Sequence, residues 1–269
     1  MADSPDDIIE RAKRYPYEVP ERSFILFGDR TLTLEDLELD NVLESRVRVD
    51  GTTVSLSELD AGPEAISRSE HRIPVLGYGS NAAPAQLRRK MEAVGHAVAI
   101  PVVRAIINDF DVVYSAHIGR YGPIPATIHP SPGTHLTVFL TYLTPPELDR
   151  MFVTEHGNYD YVELNDVSVE GDSGERLTRV HAYLSKYGAL GLARTPLALE
   201  AVRAERRRYR SITEPEALDL VGGAVAPGVP VDDFIVRAAT EPEARREWTR
   251  ELEATSIAFD WPSYRVVGR

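Results

Sequence analysis

The run Ile73-Pro-Val-Leu-Gly-Tyr-Gly-Ser-Asn81 constrains this chain more than any other stretch. Val75 and Leu76 read as the end of a buried strand. Gly77 and Gly79 then bracket Tyr78, and Ser80-Asn81 leads through Ala82-Ala83-Pro84 into a helical pattern that reaches Met91. A strand that stops on two glycines and opens a helix gathers unpaired backbone N–H groups at one point. Glycine admits positive φ and lets a ligand approach where a Cβ would stand, and Asn81 tolerates the same left-handed geometry. Such a turn suits a carboxylate, a phosphate or a developing oxyanion. No third glycine follows at dinucleotide spacing and no Gly-Lys-Ser/Thr follows, so neither nucleotide-binding signature is present.

Composition narrows the partners. A formal charge of −12 argues against nucleic acid and against an anionic membrane surface. Cysteine is absent, which excludes disulfides, thiolate metal ligands and a cysteine nucleophile. No apolar run approaches the ~18 residues that cross a bilayer. Residues 1–20 are charged and lack a signal-peptide core, so the expected compartment is the cytoplasm. Lysine occurs only at Lys13, Lys90 and Lys186, which reads as coding bias.

The order of elements predicts an α+β chain in three segments. Residues 1–70 form an N-terminal extension: a helix over 4–15 capped by Ser4, a hairpin turning at Gly28-Asp29 and another turning at Asp50-Gly51. Residues 71–195 hold the main domain, with strand-like runs at 97–103, 106–114, 124–129 and 135–143. Asn108-Asp109 and Ser131-Pro132-Gly133 mark turns between them. Thr144-Pro145-Pro146-Glu147 starts a helix that runs through Met151 and Phe152 and stops near His156-Gly157. Strands return at 161–169 and 178–183 around a turn at Gly171 to Gly174. Residues 196–269 read as helical at 197–210, 214–221, 231–239 and 242–255, with Arg206-Arg207-Arg208 on a solvated helix face. Residues 256–269 read as an apolar tail lying on the body or on a second subunit, so a homodimer stays open.

Tyr78-Gly79-Ser80-Asn81 resembles the signature of the gamma-glutamylcyclotransferase-like family. Two later features fall in matching order. Pro125-Ala126-Thr127-Ile128 with Pro130-Ser131-Pro132-Gly133 resembles the family's central strand and turn. Thr144 to Glu155, then Tyr159 and Val162-Glu163-Leu164, resembles the segment that carries its glutamate. The match covers roughly residues 73–184. One departure stands out: many relatives place glycine directly after the glutamate, and here His156 intervenes before Gly157.

The resemblance implies a small mixed, mostly antiparallel β-barrel with crossing helices, and release of 5-oxoproline from a small-molecule γ-glutamyl amide without metal or cofactor. It makes Glu155 the general base and acid. Tyr78, Gly79, Ser80 and Asn81 become a cradle for the substrate carboxylate or the oxyanion, with Tyr159 a substrate contact; the alternative for the Tyr78 ring is a place in the core. Glu155 is expected near the negative end of its helix, among Phe152, Val153 and Tyr159, with a pKa nearer neutrality than a free glutamate. The amides of the glycine turn should face it. His117, His129, His135, His156 and His181 show no zincin spacing, and Ser80 lacks the glycine-flanked elbow of a serine hydrolase. Two rival readings remain: a non-catalytic binding module on the same fold, and a γ-amide hydrolase or acyltransferase.

Overall fold

The computed structural model describes residues 4–59, 71–94 and 98–267. In chain order the main elements are α1 (Pro5–Lys13), β1 (Phe24–Phe27), β2 (Arg30–Asp36), β3 (Arg46–Val49), β4 (Thr52–Ser55), β5 (Ile73–Gly77), α2 (Pro84–Met91), β6 (Ala99–Tyr114), β7 (Ala126–Leu143), α3 (Pro145–Glu155), β8 (Tyr159–Gly171), β9 (Arg176–Ser185), α4 (Glu214–Val225), α5 (Val231–Thr240) and α6 (Pro242–Glu253). The fold is α+β. Strands β7, β5, β9, β8 and β6 are hydrogen-bonded in that order, and pairing of β6 with β7 closes them into a five-stranded barrel. The barrel is mixed, because β5 runs antiparallel to β7 but parallel to β9. From β6 the sheet continues through β1, β2, β3 and β4.

The chain divides into two compact units that cut across the three sequence segments. One comprises Met1–Tyr17, Asp109–Leu136 and Ser185–Pro262; the other comprises Glu18–Asn108, Thr137–Leu184 and Ser263–Arg269. Residues 18–59 therefore share a unit with β5, α2, α3, β8 and β9. Residues 60–70, the end of the expected extension, lie outside the described residues.

Local chemistry accounts for several element ends. Ser4, Thr144 and Thr213 each open a helix with a capping box, and proline follows in the first turn each time. Asp50 and Gly51 both take positive φ, 49° and 81°, the geometry that a tight two-residue hairpin requires. In the second unit Phe24, Val75, Leu87, Met91, Ile100, Leu148, Met151 and Tyr183 meet in an apolar cluster. Each of these large side chains contributes about 1.5–3 kcal/mol by leaving water.

Two expected turns are interior features of long strands. Residues 99–114 form one strand and 126–143 another, so neither Asn108-Asp109 nor Ser131-Pro132-Gly133 reverses the chain. Asp109 (φ 65°) and Gly133 (φ 83°) take the left-handed geometry of a turn without its reversal. The Gly133 amide donates to Asp109 Oδ1 at 2.7 Å, so one irregularity satisfies the other. The expected helix over 197–210 is also corrected. Ala198-Leu199 pairs with Ser211-Ile212 and with Val113, and Ala204-Glu205 pairs with Leu136 and His135. Sheet hydrogen bonds to distant strands override the helical spacing of a short apolar pattern. Arg206-Arg207-Arg208 therefore lies on no helix: Arg206 has φ 55°, and Arg207 turns inward to Asp111. Helices α4, α5 and α6 form as expected. In the tail, Tyr264–Val266 adds to β8 as a strand.

Glu214, the first residue of α4, is 3% exposed. Its Oε1 accepts the Ile124 N–H at 2.7 Å, while Oε2 has no partner among the described residues. The helix start favours the ionised form by about 0.3–1 kcal/mol, but burial outweighs it and pushes this carboxyl well above its ordinary value of 4.5. The folded state then holds a proton that the unfolded state has released, so stability is fully present below pH 4.5 and falls as pH rises toward the folded value. Glu214→Gln should match wild type in acid and become the more stable protein toward neutral pH. Urea midpoints at pH 4, 6 and 8 check this; a variant that loses stability equally at all three contradicts it.

Candidate active site

Helix α3 carries Glu155 inward by arithmetic. Leu148, Met151 and Glu155 fall at i, i+3 and i+7, one stripe of a helix, and the first two are buried in the apolar cluster. The start of the helix is fixed deep in the unit, where Glu147 Oε2 accepts from the Thr144 amide at 2.7 Å and from Arg72 Nη1 at 3.4 Å. Its end is fixed by His156. That ring stacks on Phe152 with centroids 5.4 Å apart, and its Nδ1 lies 3.1 Å from the Val153 carbonyl oxygen. The residue that departs from the family pattern thus closes the helix that presents Glu155.

On α2 the buried positions are Leu87, Lys90 and Met91, again one face of a helix. The two helices are packed neighbours, and Arg150 Nε of α3 donates to the Lys90 carbonyl at 2.7 Å. Across this contact the Lys90 ammonium donates both to Glu155 Oε1 and to Asn81 Oδ1. The side chains of Lys90 and Glu155 are only 10% and 11% exposed. Two acceptors on one ammonium stand no further apart than two hydrogen-bond lengths. Glu155 and Asn81, 74 positions apart in the chain, therefore meet at a lysine the sequence reading passed over. A lysine inside the stripe Leu87–Met91 was the available signal.

The other expected site residues lie as follows. Tyr78 is 8% exposed and its hydroxyl donates to the Tyr183 carbonyl of β9, so its ring is part of the core. Gly77 and Gly79 do not use positive φ, contrary to expectation; Gly79 has φ −130°. Gly77 is needed for close approach, since a Cβ there would lie 3.3 Å from Thr141 Oγ1 and 3.4 Å from the Ala82 amide nitrogen. Ser80 and Asn81 open a single 3-10 turn, Ser80–Ala82, whose first amides have no acceptor within the turn. Tyr159 starts β8 and packs, half-buried, on the apolar cluster. Val153 is 57% exposed and points away. The described polar partners of Glu155 are the Lys90 ammonium and the Thr154 hydroxyl.

Among the described residues no group of three or more His, Asp or Glu is disposed to hold a metal ion. His117 is buried in the other unit, where Nδ1 meets Ser115 Oγ at 2.6 Å and the ring stacks on Tyr187. Burial there drives its pKa down to about 3. A cavity of about 390 Å³, also in that unit, is lined by Leu197, Arg210, Ile212 and Asp219 among others, and holds none of the residues named from sequence. Among the described residues no helix is long and apolar enough to cross a membrane.

No protein-family model matches the sequence, and no curated protein matches it. Among solved structures, a protein of Arabidopsis thaliana is 21% identical over 44% of this chain, with a TM-score of 0.32; the match spans 66% of that protein, just under two thirds. An uncharacterized protein of Homo sapiens is 15% identical over 74% of this chain and 95% of its own, with a TM-score of 0.36. A gamma-glutamyl cyclotransferase is 16% identical over 73% of this chain and 94% of its own, with a TM-score of 0.34. At these values the likeness carries no argument about activity, which has to come from the residues.

Proposed function

We propose that this protein is a cyclotransferase that releases 5-oxoproline and an amine from a γ-glutamyl amide. The observation that carries the reading is the convergence of Glu155 and Asn81, from the two segments that resemble the family, on one ammonium. Acceptors that hold the Lys90 ammonium are the acceptors an α-ammonium of substrate needs. Glu155 Oε2 accepts no hydrogen bond among the described residues, so the carboxylate has an oxygen open to such a group.

The reaction is intramolecular aminolysis. The α-amine attacks its own γ-carbonyl, a five-membered lactam closes, and the amine departs. Folding the glutamyl chain back supplies much of the rate, because an oriented internal nucleophile replaces a bimolecular encounter. What remains is proton traffic. Glu155 takes a proton from the α-ammonium, and a proton must reach the leaving nitrogen. The opening amides of the Ser80–Ala82 turn would steady the substrate carboxylate or the oxyanion. Mass spectrometry over a panel of γ-glutamyl amides tests this. Lactam supports cyclisation, free glutamate means hydrolysis, and binding without turnover means a non-catalytic module.

A further inference from the structure

Lys90 has a surplus of donors where the reaction needs one. An ammonium has three N–H bonds. Two are used on Asn81 Oδ1 and Glu155 Oε1, and among the described residues the third has only the Met151 thioether, 4.0 Å away. The carboxylate of Glu155 is the complement: Oε1 holds Lys90, with the Thr154 hydroxyl at 3.4 Å, and Oε2 has no hydrogen-bond partner among the described residues. An oxygen with room to accept and an N–H with room to donate thus sit on the two ends of one hydrogen bond. Such a pair can serve two nitrogens at once, one losing a proton and the other gaining one.

We propose that Lys90 is the general acid of the reaction, protonating the departing amine while Glu155 deprotonates the attacking one; this rests on the cyclotransferase reading of the same site. In the step, Glu155 accepts a proton from the substrate α-ammonium and the freed amine forms a bond to the γ-carbonyl carbon. The bond from that carbon to the leaving nitrogen breaks as Lys90 Nζ gives that nitrogen a proton; the ring nitrogen, which still carries two protons, passes one to the departing amine, which leaves as an ammonium ion, or to water when that amine is only weakly basic. Lys90 is left as a neutral amine and Glu155 as a carboxylic acid. Proton transfer across their own hydrogen bond restores both, so the cycle closes with no net gain or loss of protons. The second consequence is specificity: an acid at the leaving nitrogen matters most for strongly basic amines, so Lys90 tunes the site toward alkylamide substrates.

The test compares γ-glutamyl ethylamide with γ-glutamyl p-nitroanilide, whose weakly basic aniline leaves without prior protonation. Wild type, Lys90→Met and Lys90→Arg are assayed for 5-oxoproline, with circular dichroism and melting curves on each. Arginine keeps the charge and can donate to Glu155, but it does not give up its proton. Both variants should lose about 10²–10⁴-fold in kcat on the ethylamide, the range for removing a general acid. The loss on the p-nitroanilide should be smaller by at least about 10²-fold. Equal losses on the two substrates, or full rescue by arginine, overturn the acid role and leave Lys90 a structural counter-charge. No lactam from wild type with either substrate overturns the cyclotransferase reading itself, and the acid role with it.

Discussion

Glu155→Gln should cut 5-oxoproline formation by about 10²–10⁴-fold on every γ-glutamyl amide, p-nitroanilide included. The base is needed whatever the leaving group, because an ammonium cannot attack a carbonyl until it has lost a proton. This uniform loss separates Glu155 from Lys90, whose removal discriminates between leaving groups. Glutamine is nearly isosteric and its amide oxygen can still accept from Lys90, so the fold should survive; circular dichroism and gel filtration close to wild type make that point. The change leaves the Lys90 ammonium without an opposite charge at a site where both side chains are about nine-tenths buried. A lowered melting temperature is therefore expected alongside the loss of turnover, and Lys90→Met/Glu155→Gln should recover part of it, since removing both charges leaves none uncompensated. Wild-type activity in Glu155→Gln would falsify the mechanism at its root.

The elements that begin on a chemical cap or a tight turn were legible from the sequence. Thr144-Pro145 with Glu147, Thr213 with Glu216, and Asp50-Gly51 each fix their geometry through neighbours within three residues. The misreadings share one cause, the dependence of local signals on distant partners. Asp109 and Gly133 carry turn chemistry, yet each is an irregularity inside a long strand because the chain on both sides stays in a sheet. Leu197 to Arg210 has helical spacing, but Leu136, Val113 and Ser211 offer its backbone sheet partners. At the site, Glu155 was legible through its motif and through the stripe Leu148–Met151–Glu155. Lys90 was not, because a lysine on a short helix ordinarily faces water and its partner is 65 positions away. At the glycine turn the expected positive φ is absent, and Gly77 instead makes room for Thr141 and Ala82 of the chain itself.

Arg207→Ala should be the most damaging single change outside the site, lowering stability by about 3–5 kcal/mol near neutral pH. Asp111 is fully buried, and the Arg207 guanidinium grips it through Nε and Nη2 at 3.0 Å each while Nη2 also donates to the Val202 carbonyl at 2.7 Å. One amide, that of Val112, remains to Asp111 Oδ1 once the arginine is gone. A lone buried carboxylate with a single donor is far from compensated. Even with Arg207 in place, burial raises the Asp111 carboxyl above its ordinary value of 3.8, the arginine only partly opposing it. A carboxyl raised in the folded state keeps its stability below the unfolded pKa and loses it as pH rises through the folded one. Truncating the arginine enlarges that rise, so the deficit of Arg207→Ala should be small near pH 4 and grow steadily toward pH 8. Asp111→Asn/Arg207→Ala should show no such growth. Chemical denaturation of the three proteins across that range measures it directly, and a deficit independent of pH would mean that lost packing of the arginine stem, with no contribution from the abandoned carboxylate, sets the cost.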